Sequence, residues 1–217
     1  MNRFIRVGNA HYEEVVRVTH TIEETYGQVL LSQLFTHIWF GNWDEYEETV
    51  NQLPADLLKE FPFHQYYERK ETEQWHDNYF AIPGIYFVPP YLSSYQGKSE
   101  KEEVQAKQDL LCLIGTFDKL GFYYPLEQEE LPDHFGSLTA FITAAASEEV
   151  KALEKGDREL AGQLRESQHE MYHTYLEPGI EKLWERNKGK LTDPFFKEFI
   201  PYYMACMGEI VGHCTKK

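Results

Sequence analysis

Three strings in the sequence combine residue types that can do chemistry. His169-Glu170-Met171-Tyr172-His173 fits the HExxH pattern, in which a helix presents two imidazoles on one face to zinc and the glutamate serves as general base. A catalytic zinc also needs a third protein ligand. The extended form of the motif fails, because Leu176 and Gly179 stand where it requires a glycine and a further histidine. Glu185 or Glu198 would have to supply the ligand, and no convincing strand is available to align a substrate. A polar helix face is the simpler reading of His169 and His173.

The second string is Pro132-Asp133-His134 before Phe135-Gly136. Proline fixes the approach, and Asp133 is expected to N-cap the helix that follows, with Gly136 at its third position. His134 is not needed for that cap. A titratable ring beside a helix N-terminus, preceded by the acidic run Glu127 to Glu130, is expected to face a ligand. As an acid–base pair the two residues are poorly placed, because neighbours on a helix diverge by about 100°. The third string holds Tyr86, Phe87, Tyr91, Ser93, Ser94 and Tyr95 in a proline-rich loop, a mixture of rings and hydroxyls suited to peptide recognition. The competing reading is that these rings plug the loop onto the core. No GxSxG, nucleotide-binding glycine loop or activated cysteine accompanies the three strings.

The elements that must position these residues are helical. Val15, Val18, Ile22, Tyr26, Val29, Leu30, Leu34 and Ile38 recur at three- and four-residue steps from Tyr12 to Phe40, with Gly27 and Gly41 as places for a break or an end. A shorter helix is expected over Trp43 to Leu53, and a ring-rich one over Phe63 to Phe80 that ends before Pro83-Gly84. Ile85 to Val88 reads as an ordered loop, since Pro89-Pro90 cannot donate ladder hydrogen bonds. Ser99 and Glu102 form a capping box for a central helix running to Leu120. Further helices are expected through Phe135 to Ile142 and from Asp157 to Leu176. After a break at Pro178-Gly179, another covers Ile180 to Trp184, and the last covers Phe195 to Ile210, opened by Asp193-Pro194.

Composition sets the class. The 217 residues, 42% hydrophobic and 15% aromatic, suffice for one core, so a single all-α domain over 1–217 is expected. With 36 acidic against 21 basic side chains the net charge is −15, which repels nucleic acid and anionic lipid and attracts cationic partners. Cys112, Cys206 and Cys214 form no CxxC pair and suit a reducing compartment. No secretory leader is visible at the N-terminus. The most apolar stretch, Leu110 to Phe117, is far shorter than the roughly 20 residues of a membrane span.

Taken together, Pro89-Pro90-Tyr91-Leu92-Ser93-Ser94-Tyr95 and Glu130-Leu131-Pro132-Asp133-His134-Phe135-Gly136 resemble the two signature stretches of the TorD/DmsD (NarJ-related) chaperones of molybdoenzyme maturation. Trp75-His76-Asp77-Asn78-Tyr79-Phe80 before Pro83-Gly84, and His173, Leu176 and Pro178 after the Phe141 helix, add to the likeness, which extends from about residue 23 to the C-terminus. The resemblance implies a TorD-like helical bundle in the cytoplasm that is not an enzyme and carries no cofactor. Such a protein binds the twin-arginine signal peptide and the catalytic subunit of a molybdoenzyme before export, as a monomer or a domain-swapped dimer. By the same resemblance, the peptide site comprises Pro132, Asp133, His134, Pro90, Tyr91, Ser93 and Tyr95, with Trp75 and Phe80. The chain departs from the pattern at Leu92 and at Phe135, which replaces the usual aliphatic. A leader with two guanidinium groups and an apolar segment complements an acidic protein with an aromatic surface, Asp133 facing the arginines. The alternatives are an HExxH zinc hydrolase and a helical scaffold that binds no leader.

Overall fold

The computed structural model describes residues 21–96, 108, 111–116, 121 and 131–211. Thr21 opens the first helix, α1 (Ile22–Phe40), with a reciprocal capping box: its hydroxyl accepts from the Glu24 N–H, and its own N–H donates to the Glu24 carboxylate at 2.7 Å. Gly27 does not interrupt the helix. Gly41 ends it with φ of 66°, a conformation that favours glycine, and His76 lies so near that a Cβ would come within 2.8 Å of the imidazole. There follow α2 (Trp43–Gln52) and the single turn α3 (Ala55–Leu58).

The expected helix over 63–80 is broken in two. A 3₁₀ turn, His64–Tyr66, gives way to extended backbone at Tyr67 and Glu68, because the Glu68 carboxylate caps a new helix, α4 (Arg69–His76), by accepting from the Glu71 N–H at 2.8 Å. A π-helical turn over Asp77–Ala81 then carries Tyr79 and Phe80 into the core before Pro83. Residues 85–88 form a loop, as expected, and Leu92–Tyr95 form a 3₁₀ turn. Of the expected helix from Ser99 to Leu120, residues 111–116 are helical, while the capping box lies outside the described residues. That segment buries Leu113 in the main core and exposes Leu111 and Ile114.

The C-terminal half comprises α5 (Phe135–Glu154), α6 (Arg158–Met171), α7 (Glu177–Asn187) and α8 (Pro194–Ile210). Gly156, at φ of 75°, makes the turn between α5 and α6. Pro178-Gly179 does not break the chain as expected. A π turn, Tyr172–Leu176, joins α6 to α7 with the Glu177 N–H reaching the Tyr172 carbonyl, and Pro178 sits in the first turn of α7, where its missing donor costs little. Gly179 is required by close approach: a Cβ there would meet Leu92 at 2.7 Å and Phe135 at 2.9 Å. Asp193 and Pro194 start α8 as N-cap and first residue, as expected.

All the named elements are helical; among the described residues there is no β-strand, and the protein is all-α. Its main core is aromatic, with Trp39, Phe35, Phe80, Phe135, Phe196, Phe199 and Tyr203 interlocked at centroid distances of 5.3–6.0 Å in edge and tilted arrangements. The packing of α1 on α5 and α6 differs from the apolar periodicity. Tyr26 is exposed, and the buried row in the first half of α1 is polar: Thr25, Gln28 and Ser32. These residues are buried because partners satisfy them. The Gln28 amide donates to Gln168, Gln168 donates to Glu149 at 2.8 Å, and Arg165 holds Glu149 bidentately at 2.7–3.1 Å while reaching Thr25 at 3.4 Å. Removing one ion-pair partner strands the other in low dielectric. Glu149→Gln is expected to cost about 3 kcal/mol in urea unfolding, whereas Glu149→Leu combined with Arg165→Met recovers most of that loss.

Candidate functional site

Two segments 40 residues apart in sequence meet at the N-terminus of α5. Tyr91 and His134 form an isolated antiparallel bridge. The Phe135 N–H donates to the Pro90 carbonyl at 2.9 Å, and the Leu92 N–H donates to the Asp133 carbonyl at 2.9 Å. The Asp133 carboxylate adds a third link by accepting from the Ser93 N–H at 2.9 Å through Oδ2. Prolines 89 and 90 make a longer ladder impossible, so the seam stops after one bridge. Pro132 adds no donor of its own and leaves the turn at Asp133 free to face the 3₁₀ segment.

Asp133 is not the helix cap. Its carboxylate is engaged by Ser93, and its other oxygen, Oδ1, is buried with no hydrogen-bond partner among the described residues. His134 caps α5 instead, Nδ1 accepting from the Gly136 N–H at 3.0 Å, which makes Gly136 the second helical residue rather than the third. Gly136 tolerates no side chain here, since a Cβ would lie 2.9 Å from both His134 and Phe40. The expectation that His134 is exposed is therefore not met. The residue is 3% exposed, stacked on Phe40 at 5.2 Å and 11°, with Tyr91 edge-on at 5.2 Å. A cap formed by Nδ1 needs the neutral ring protonated at Nε2.

The remaining expected residues divide into those within the seam and those beneath or beyond it. Tyr95 is buried, its hydroxyl donating to the Pro89 carbonyl at 2.7 Å and accepting from Asn187 at 3.3 Å, while Arg186 lies 5.7 Å over its ring. Tyr95 thus braces the loop from below. Phe80 is a core ring against Trp39 and Phe196. Trp75 is half-buried and touches Tyr79 and Tyr86, away from the seam. Tyr91 and Pro132 are half-buried and Ser93 is exposed, so these remain accessible, whereas Pro90 is buried. Glu127 to Glu130 lie outside the described residues. Sequence reasoning missed Phe40, which gives no signal beyond being the last residue of α1, and the exposed Ile82 and Ile85 that flank Pro83-Gly84.

His169 and His173 come together with ring centroids 4.2 Å apart, and His173 Nδ1 bonds Glu177 at 2.7 Å. Among the described residues, no three His, Cys, Asp or Glu side chains are placed to hold a metal ion. Nor is any described helix long and apolar enough to cross a membrane.

Burial of His134 pushes its pKa down to about 3, with nearby His76 acting in the same direction. The unfolded imidazole titrates near 6.5. The native state therefore binds the proton more weakly, so this group's contribution to stability is complete above about pH 6.5 and is lost as pH falls towards 3. Between pH 7 and pH 5 it is expected to cost about 2 kcal/mol. His134→Asn, which retains a capping acceptor, should flatten the fall in thermal stability over that interval relative to wild type. Parallel pH profiles would refute the assignment.

Residues 44–184, about two thirds of the chain, match the family described as nitrate reductase delta subunit. No curated protein and no solved structure gives a significant match. The matched span includes both halves of the seam. The chain belongs to the nitrate reductase delta subunit family, which comprises molybdoenzyme maturation chaperones of the NarJ/TorD type.

Proposed function

We propose that the protein is a cytoplasmic chaperone, without catalytic activity of its own, that captures the twin-arginine signal peptide of a molybdoenzyme catalytic subunit before export. The observation that carries this reading is the Asp133 carboxylate. One oxygen is committed to Ser93 across the seam, and the other is a buried acceptor with no donor among the described residues. Such an oxygen gains most from a charged donor, because hydrogen bonds between a guanidinium and a carboxylate are short, and they are strongest away from water. The half-buried Tyr91 ring stands beside it as an aromatic surface for the leader's apolar part. The net charge of −15 favours encounter with a cationic segment. Asp133 is 4% exposed, so the seam yields locally when the peptide enters, and Tyr91 is the residue that moves.

Isothermal calorimetry with a synthetic twin-arginine leader tests this reading. Asp133→Asn keeps an acceptor for the Ser93 N–H and removes the charge, and is expected to weaken binding roughly 10- to 100-fold, in line with loss of a charge-assisted bond of about 1.5–3 kcal/mol. Tyr91→Ala should weaken it several-fold. Unchanged affinity in both folded variants refutes the site, and absence of binding by wild type refutes the function.

A further inference from the structure

The loop after α4 exposes more apolar surface than any folding role requires. Ile85 is 81% exposed and Ile82 56%, with Tyr86 beside them; the Trp75 ring meets Tyr86 edge-on at 5.4 Å and fixes it outward from α4. The loop itself is not loose: the Ile82 N–H donates to the Asp77 carbonyl at 2.7 Å, the Phe87 N–H to Gly84, and the Val88 N–H to Tyr79 at 2.7 Å. A rigid loop that presents two isoleucines and a tyrosine to solvent has the features of an interaction surface.

The charges around it select the partner. Lys190 lies over the loop, its ammonium donating to the Phe87 carbonyl at 3.0 Å, and Lys188 belongs to the same turn after α7. Arg186, one turn earlier, faces Tyr95. Of the glutamates of α7, Glu177 pairs with His173 and Glu181 lies near Tyr172. Asp77 adjoins the loop on the α4 side. In a chain of net charge −15, this is a local cationic margin against an apolar patch. An arginine-bearing leader is repelled from such a margin.

We infer that Ile82, Ile85 and Tyr86, bordered by Lys188 and Lys190, form a second docking surface for an apolar protein segment flanked by carboxylates, separate from the seam at Asp133. The acidic seam and the cationic loop select segments of opposite charge, so one client can engage both without competition.

Fluorescence anisotropy on the full chain tests the inference with three labelled synthetic probes: a 16-residue amphipathic peptide with leucine and phenylalanine anchors flanked by glutamates, the same peptide flanked by lysines, and a twin-arginine leader. The glutamate-flanked probe should bind at least tenfold more tightly than the lysine-flanked one. Ile85→Ser, at an exposed position, should weaken the former about tenfold, and the Lys188→Glu, Lys190→Glu double variant should reverse the charge preference. Neither change should alter leader binding, which separates this surface from the seam. Equal affinity for the two amphipathic probes, indifference to Ile85→Ser, or no binding of the glutamate-flanked probe overturns the inference.

Discussion

The antiparallel contact between Tyr91 and His134 is the constraint on which the site depends, because it is where the N-terminal helices are tied to the start of α5. Three hydrogen bonds close it, and each contributes only about 1 kcal/mol. Their effect is positional. The seam seats Phe135 between Trp39 and Tyr95, places Leu92 against Gly179 in the first turn of α7, and presses His134 onto Phe40 at the end of α1. Three α-helices and the Leu92–Tyr95 turn thereby meet at one short junction.

This junction combines two demands on the same residues. His134 caps a helix and fills a gap between two rings, and Asp133 holds a loop while its other carboxylate oxygen has no partner among the described residues. Under the proposed reading, a buried acceptor without a donor among the described residues is where a charged donor gains most. The apolar loop at Ile82 and Ile85 is the converse: exposed and dry in character, yet held rigidly by its backbone.

Much of the fold was legible in the sequence because helix punctuation is local. Asp193-Pro194, Gly41 and the 3.6-residue spacing of α5 state their roles within a few residues. Tertiary satisfaction was not legible. The buried face of α1 reads Thr25, Gln28, Ser32, which looks solvent-exposed until Gln168, Glu149 and Arg165, more than 100 residues away, supply partners. Pro178-Gly179 reads as a break, but a wide helical turn absorbs the proline and a close approach explains the glycine. The two signature segments meet in the fold. Their residues were assigned to a ligand, whereas His134 and Tyr95 chiefly hold the segments to each other, a relation that depends on the seam and leaves no trace in spacing.

The most direct measurement of the central claim is amide hydrogen exchange followed by mass spectrometry, with and without a twin-arginine leader. The account predicts that peptides covering residues 89–95 and 131–136 change protection together on binding, since one seam joins them. A change in only one of the two segments, or a change confined to α6 and α8 with both segments unaltered, would contradict it.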